Sequence, residues 1–277
     1  MNELPFHDWR LLITPAATGA WNMAVDEAIL GAIGQGLVPP TLRLYTWEPA
    51  CLSIGYAQPT SDVDCTRLDS YGWDLVRRPT GGRAILHTDE LTYAIIGPPY
   101  EPRLAGGVLE SYQILSQGLL KALHLLSVPA QSSPHSYSLS NDGTKAPVCF
   151  EVPSNYEIIV NGKKLIGSAQ ARRREGVLQH GSLPIHGDLS RITWVLSYQY
   201  TQLRVGAASR LLERATTLES ILGYRLEWDT VAQAFVAAFQ EVLNINLIQS
   251  ELSPHEIEMA ERLVIEKYAN REWTQKV

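Results

Sequence analysis

The 277-residue sequence has little cysteine, no excess of positive charge and no long apolar run. Its three cysteines, Cys51, Cys65 and Cys149, are odd in number and widely spaced, which argues against a disulfide framework and against a thiolate zinc site. The formal net charge of −6 argues against a protein that binds nucleic acid through phosphate contacts. No stretch approaches the ~18 apolar residues of a membrane span, and residues 1–10 do not resemble a signal peptide. We therefore expect a cytoplasmic protein with no membrane segment.

The composition predicts a packed globular chain, because hydrophobic residues make up 45% and charged residues 19%. At ~150 residues per domain the length fits one or two domains. We find no internal repeat and no glycine- or serine-rich linker. The sequence therefore favours one α+β unit, with a main domain at 37–247, a strand and helix at 1–36 packed on it, and a C-terminal helix at 248–277.

Short apolar runs between prolines and glycines predict strands at residues 9–14, 41–45, 51–56 and 73–76, and helical spacing predicts helices at 21–31 and 108–126. Residues 127–147 are rich in serine, proline and asparagine and predict a long loop. A loop of that length is uncommon in a compact domain unless it covers a site or is mobile.

A three-stranded antiparallel unit is predicted after this loop. Asn161-Gly162 is the preferred type I′ turn pair, and it would pair Val160 with Lys163 and Ile159 with Lys164. Glu175-Gly176 then turns the chain into a strand at 177–183.

The sequence from residue 188 onward is mostly helical in pattern. Asp229 or Thr230 is predicted to cap one helix, and Ser253-Pro254-His255-Glu256 forms a capping box before the last helix, which runs to Tyr268.

The segment 77–87 combines Arg77 and Arg78 with the pair Gly81-Gly82 and ends at His87. Glycines let a backbone approach a ligand closely, and arginines hold anionic groups. The alternative is a turn between two strands with solvated arginines. The segment is not a Walker loop, because no Gly-Lys-Ser/Thr follows at the required spacing.

Cys149 ends the long loop and is flanked by Pro147 and Pro153, whereas Cys51 lies in an apolar run typical of a buried side chain. An unperturbed thiol, with a pKa of about 8.5, is only a few per cent thiolate at neutral pH. The ammonium groups of Lys163 and Lys164 in the following hairpin would favour the thiolate if they lie near it.

Other polar clusters have ordinary structural explanations. His180-Gly181-Ser182 lacks the Gly-x-Ser-x-Gly elbow of a serine hydrolase, and His180 with His186 makes a poor metal site, so we expect no metal and a hydrogen-bonded structural histidine. The run 172–174 is three arginines before a turn, where a solvated tip or a surface for an acidic protein would both fit.

Three segments in this order resemble the biotin/lipoate protein ligase superfamily: 77–87, 162–170 and 180–183. Within it the chain resembles the cysteine-dependent octanoyltransferases of lipoate assembly, because Arg83 stands where ATP-dependent lipoate ligases usually have a third glycine. Cys149-Phe150-Glu151 also falls where those transferases keep their nucleophile. The resemblance implies a mixed, largely antiparallel sheet with flanking helices and a small helical C-terminal extension.

The resemblance also assigns the site residues. It makes Cys149 the acyl-thioester nucleophile and Lys164 the superfamily's catalytic lysine, with no cofactor. It implies a substrate-binding set of Arg77, Arg78, Gly81, Gly82, His87, Gly167, Ser168, His180 and Gly181.

The implied reaction moves octanoyl from octanoyl-acyl carrier protein to the lysine of a lipoyl domain, that of the glycine cleavage H protein, through a monomeric enzyme. Partners in this family are typically acidic, which gives Arg77, Arg78 and residues 172–174 a second predicted role in docking. The alternatives are an ATP-dependent lipoate–protein ligase, an octanoyl amidotransferase between lipoyl domains, and a non-catalytic module that binds acyl groups or carrier proteins.

Overall fold

The computed structural model describes residues 4–133 and 157–277. Its strands are β1 (His7–Ile13), β2 (Thr41–Tyr45), β3 (Cys51–Ile54), β4 (Asp74–Arg77), β5 (Ile85–His87), β6 (Glu90–Gly97), β7 (Gln131–Ser133), β8 (Glu157–Val160), β9 (Lys163–Arg172), β10 (Val177–Pro184) and β11 (Ile245–Gln249). Its α-helices are α1 (Gly19–Gly34), α2 (Cys65–Ser70), α3 (Val108–Leu125), α4 (Thr201–Arg214), α5 (Leu218–Leu222), α6 (Trp228–Leu243), α7 (Pro254–Leu263) and α8 (Arg271–Thr274). No helix in these described ranges is long and apolar enough to cross a bilayer.

The main sheet has eight strands in the order β11-β1-β2-β6-β10-β9-β8-β7. β1 runs parallel to β2 and β11, and the other pairs in this sheet are antiparallel. A second sheet has the order β4-β3-β5. The predicted α+β fold with a mixed, largely antiparallel sheet is confirmed. The strand β11 interrupts the C-terminal region that the sequence predicts as mostly helical.

Helices cover both faces of the main sheet. On one face, Phe235 and Phe239 of α6 pack against Leu115 and Leu119 of α3 in a continuous apolar cluster with the strands. On the other face, α1 packs against α7, with Met23 and Ile29 of α1 fully buried beside Ala260. Apolar side chains at helical spacing produce these faces, because each helix buries its stripe against the sheet.

The predicted three-stranded unit is present as β8, β9 and β10. Val160 pairs with Lys163 and Ile159 with Lys164, and Asn161 and Gly162 have the positive φ angles that a type I′ turn requires. A β-bulge then shifts the register, so that Ile158 pairs with Ile166. The predicted loop 127–147 contains β7, which pairs with β8, and residues 134–147 lie outside the described residues.

Two predicted helix starts have different outcomes. α6 begins at Trp228 after Glu227, so the prediction of a cap at Asp229 or Thr230 is wrong. Both residues lie inside the first turn, where the carboxylate of Asp229 still complements the helix dipole. The capping box at Ser253 is confirmed, and a π-helical turn, Val264–Tyr268, continues α7.

Glu256 joins the C-terminal helices to the main sheet. Its buried carboxylate accepts hydrogen bonds from the Ser253 backbone amide at 2.8 Å and from Arg10 Nη2 at 2.6 Å. Burial raises the pKa of Glu256, but the hydrogen bonds from Arg10 and Ser253 outweigh it, and the net pKa lies below the ordinary value. A carboxylate with a lowered folded-state pKa stabilises the fold above its unfolded pKa of about 4.3, and that stability is lost as the pH falls through the folded pKa.

We expect Glu256→Gln to lower the free energy of unfolding at pH 7 by about 1.5–3 kcal/mol, the usual contribution of hydrogen bonds to a charged group. Urea unfolding of both proteins measures this. Because the wild-type carboxylate becomes protonated in acid, the difference should shrink below about pH 4. Glu258→Gln, on the exposed side of α7, is the matched control and should change stability little at either pH. A difference between wild type and Glu256→Gln that does not change with pH would contradict this assignment.

Candidate active site

A cavity of about 260 Å³ lies beside the centre of the main sheet. Its described wall consists of Met23, Tyr45, Trp47, Ser53, Arg78, Gly81, Gly82, Ile85, His87, Thr92, Gly167, Ser168, Ala169, Gln170, His180, Gly181 and Ser182. Eight of the nine residues predicted to bind substrate are in this set. The structure therefore brings together the three sequence segments that carry the family resemblance.

The Gly81-Gly82 turn forms part of the cavity wall, and the Arg78 side chain fixes its backbone. Gly82 has a φ of 92°, which favours glycine, and a Cβ on Gly55 would collide with the Gly82 carbonyl. The Arg78 guanidinium donates to the carbonyl oxygens of Gly81 at 2.8 Å and Arg83 at 2.7 Å. Arg78 is thus buried and fixes the turn.

Arg77 is the predicted substrate-binding residue that lies outside the described wall. Its buried guanidinium donates to the carbonyls of Gly55, Gln58 and Thr274, at 2.8, 2.6 and 2.7 Å. The alternative interpretation of this segment, a turn with solvated arginines at 77 and 78, is therefore wrong. The docking role predicted for Arg77 and Arg78 is also wrong, because both guanidinium groups are buried and hydrogen-bonded inside the protein.

His87 is held rigidly in the wall. Glu90 Oε1 lies 2.6 Å from its Nδ1, Ser53 Oγ lies 2.7 Å from its Nε2, and its ring stacks on Trp47 with the centroids 4.0 Å apart. Burial raises the pKa of Glu90, but the neighbouring His87 and hydroxyl groups outweigh it, and the net pKa is lowered. The Glu90 carboxylate therefore stays ionised and orients the imidazole.

His180 is a buried, hydrogen-bonded histidine, as predicted, and it also lines the cavity. Its Nε2 lies 2.6 Å from Thr80 Oγ1, and its Nδ1 lies 3.4 Å from Asp26 Oδ2. Burial lowers the pKa of His180, which keeps the ring neutral at pH 7. A neutral ring that donates from Nδ1 to Asp26 accepts at Nε2 from the Thr80 hydroxyl. This links α1 and β10 to the residue before the Gly81-Gly82 turn.

A buried ion pair supports this wall. Asp26 Oδ1 accepts a hydrogen bond from Arg43 Nη1 at 2.6 Å, and Tyr45 donates to Asp26 Oδ2 at 3.0 Å. Burial raises the pKa of Asp26, but the Arg43 guanidinium and His180 outweigh it, and the net pKa is lowered. Asp26 is therefore an anion in the protein interior.

Of the two predicted catalytic residues, Lys164 lies within the described residues and Cys149 does not. Lys164 is buried on β9, and its Nζ donates to Glu157 Oε1 at 2.7 Å. It is not among the described lining residues. Cys149 lies outside the described residues. Burial raises the pKa of the Cys51 thiol well above its usual value, so Cys51 is a poor nucleophile, and Cys65 is an exposed thiol on α2.

The arginines at 172–174 do not form a uniform solvated tip. Arg172 is half-buried and donates to the Leu104 carbonyl at 2.6 Å and to Gln170 Oε1 at 2.9 Å, whereas Arg173 and Arg174 are exposed. Only the last two arginines leave their charge at the surface.

Several wall residues were missed by sequence reasoning. The cavity is also lined by Met23 of α1, Tyr45 of β2, Trp47 just after β2 and Thr92 of β6. These side chains look like ordinary core positions in the sequence. Only the order of the strands reveals them, because β2, β6 and β10 are neighbours in the sheet.

The family model of the lipoyl protein ligase A/B catalytic domain matches residues 18–240. The chain belongs to this family. It is 41% identical over 272 residues to the octanoyltransferase LipM of Kyrpidia tusciae, covering 96% of this chain and 97% of the relative. It is 35% identical over 272 residues to the octanoyltransferase LipM of Bacillus subtilis, covering 97% and 98%.

Solved structures agree with this family fold. The chain is similar to a bi-partite lipoate protein ligase of Thermoplasma acidophilum, with a TM-score of 0.81 and 23% identity over 97% of this chain and 96% of that one. It is also similar to lipoate-protein ligase A bound with ATP, with a TM-score of 0.77 and 24% identity over 97% and 98%. The predictions of this fold and of an octanoyltransferase of lipoate assembly are confirmed.

Proposed function

We propose that this octanoyltransferase works through a thioester on Cys149, with octanoyl-acyl carrier protein as donor and a lipoyl-domain lysine, that of the glycine cleavage H protein, as acceptor. The observation that carries the proposal is the cavity, whose wall unites the three family segments in a chain 35–41% identical to octanoyltransferases. The cytoplasm, where carrier-bound acyl groups are made, is the proposed location.

The first half-reaction forms the acyl-enzyme. The Cys149 thiolate attacks the thioester carbonyl, the bond to the carrier sulfur breaks, and the departing thiolate takes up a proton. One thioester replaces another, so this step needs no ATP. In the second half-reaction the uncharged lysine amine of the lipoyl domain attacks octanoyl-Cys149. An amide forms, the Cys149 sulfur leaves, and the amine gives up a proton.

The described residues have distinct proposed roles. The Lys164 ammonium, held by Glu157, would stabilise the thiolate and then the oxyanion that forms at the carbonyl. The acyl chain would be buried against Met23, Trp47 and Ile85 of the cavity wall. Burial of each methylene contributes about 0.8 kcal/mol to the binding free energy. A donor one methylene longer or shorter should therefore be disfavoured only modestly.

Mass spectrometry of the intact protein tests this proposal. After incubation with octanoyl-acyl carrier protein, we expect one octanoyl group on the wild type and on Cys65→Ala, and none on Cys149→Ala. Cys65→Ala is the matched control because its thiol is exposed. Adduct formation on all three proteins would contradict the role of Cys149. Lipoylation that requires ATP and free lipoate would instead indicate a ligase, and use of octanoyl-lipoyl domain as the preferred donor would indicate an amidotransferase.

A further inference from the structure

A cluster of cations and aromatic rings lies where the C-terminal segment meets the loop after β3. We call Tyr56, Arg173, Lys267, Trp273 and Lys276 the cation–aromatic patch. Lys276 Nζ lies 3.2 Å from the centre of the Tyr56 ring and 3.5 Å from that of Trp273. The Arg173 guanidinium lies 5.8 Å from the Tyr56 ring, and Lys267 Nζ lies 4.2 Å from the Trp273 ring.

Within the part of the chain that the structure describes, Lys276 and Arg173 contact aromatic faces and form no ion pair with a carboxylate, so the patch keeps their positive charge. A ring face attracts a cation through its quadrupole and carries no net charge. Lys267 differs, since its ammonium is paired with Glu27 at 2.6 Å. The patch is therefore a positive surface on a chain whose net charge is −6.

Burial and the neighbouring cations both affect the pKa of Lys276. Partial burial, and then the cations Arg77, Lys267 and Arg173, lower the pKa of the Lys276 ammonium from 10.5 to about 8. Like charges close to an ammonium disfavour its protonated form. Lys276 remains mostly protonated at pH 7, so the patch carries its charge under those conditions.

The patch adjoins the cavity. The Tyr56 backbone amide donates to the Thr80 carbonyl at 2.9 Å, one residue before the Gly81-Gly82 turn. Trp273 Nε1 donates to the Arg77 carbonyl at 2.8 Å, at the end of the strand that leads into the same turn. A protein bound to the patch would therefore lie next to the wall of the acyl cavity.

We infer that the cation–aromatic patch docks the acyl donor, an acidic carrier protein whose thioester is at the end of a phosphopantetheine arm. This inference rests on the proposed function. The positive charge of the patch is complementary to the acidic carrier protein and to the phosphodiester anion on its arm, and the lipoyl domain is the alternative occupant that the test below separates. Positive surfaces steer anionic partners and repel cationic groups.

Charge reversal separates docking from catalysis. The double variant Arg173→Glu/Lys276→Glu is compared with wild type and with the control Arg225→Glu, an exposed arginine that lines a different cleft. Initial rates of Cys149 acylation are measured with octanoyl-acyl carrier protein and with octanoyl-N-acetylcysteamine, a small uncharged thioester. Transfer from preformed octanoyl-enzyme to a lipoyl domain is measured separately.

We expect the double variant to raise the KM for the protein donor by about tenfold or more, with less than about a twofold change for the small thioester and for the acceptor step. Added salt should reduce the wild-type rate with the protein donor more than that of the variant. Equal losses with both donors, an unchanged KM for the protein donor, or a loss confined to the acceptor step would each overturn the inference. Failure of the wild type to form an adduct with either donor would instead overturn the proposed function.

Discussion

Replacing Lys164 with alanine is expected to slow the formation of octanoyl-Cys149 by about 10²–10³-fold, the usual cost of removing one group that stabilises the reacting charge. In the proposed mechanism this charge is stabilised by the Lys164 ammonium, which Glu157 holds at 2.7 Å in a buried position on β9. The proposed mechanism also predicts a higher thiol pKa for Cys149 in this variant, because an ammonium close to the thiol would favour the thiolate. Rapid-quench mass spectrometry gives the acylation rate, and iodoacetamide labelling against pH gives the thiol pKa.

Lys163→Ala is the matched control for this prediction. Its ammonium donates to the Leu212 carbonyl at 2.6 Å and has a different partner from its neighbour on the same strand. We expect the control to acylate at close to the wild-type rate. Similar rates for Lys163→Ala and Lys164→Ala, or a Cys149 thiol pKa that stays the same in Lys164→Ala, would exclude the proposed activating role.

Replacing Asp26 with alanine is expected to destabilise the protein by about 3–5 kcal/mol, the range for removing one partner of a buried ion pair. The change leaves the fully buried Arg43 guanidinium without its carboxylate and removes the acceptor of the Tyr45 hydroxyl. Urea unfolding at pH 7 measures the loss. The cavity wall should also loosen, because His180 loses its Asp26 contact.

The control for Asp26 is Glu241→Ala, which breaks the ion pair with Lys121 on the surface. Exposed pairs contribute little, so we expect a loss below about 1 kcal/mol there. Asp26→Asn keeps the shape and part of the hydrogen bonding of the side chain. Its loss in the free energy of unfolding should lie between those of Asp26→Ala and Glu241→Ala. A loss at Asp26→Ala no larger than at Glu241→Ala would show that Arg43 finds other compensation.

The sequence predicts the parts of the fold that depend on local pattern. The Asn161-Gly162 turn sets the register of β8 and β9, and the capping box at Ser253 starts α7, because both signals lie within a few residues. The order of three family segments also predicts most of the cavity wall. What sequence reasoning misses depends on pairings between distant segments. Asp26 and His180 are 154 positions apart, and no local pattern indicates that they meet.

Buried arginines show the same limit. Arg77 lies in a strand beside another arginine, a pattern typical of a solvated edge. Its burial requires carbonyl groups from the loop after β3 and from Thr274, 197 positions away. The helix start at Trp228 differs from the predicted cap for another reason, since the extended backbone of Glu227 begins the helix without a side-chain hydrogen bond.

The parallel pairing of β1 with β11 constrains how the chain can be synthesised and folded. Asp8 and Asn246, partners in this pair, are separated by 238 positions, so β1 has no neighbour on that side until almost the whole chain has left the ribosome. A β1–β2 pair formed before then would expose the backbone groups of β1 along an open edge, the kind of edge that recruits strands from other chains. Contacts between such distant segments form late and slowly. We therefore expect self-association at this edge to compete with completion of the sheet until β11 pairs with β1.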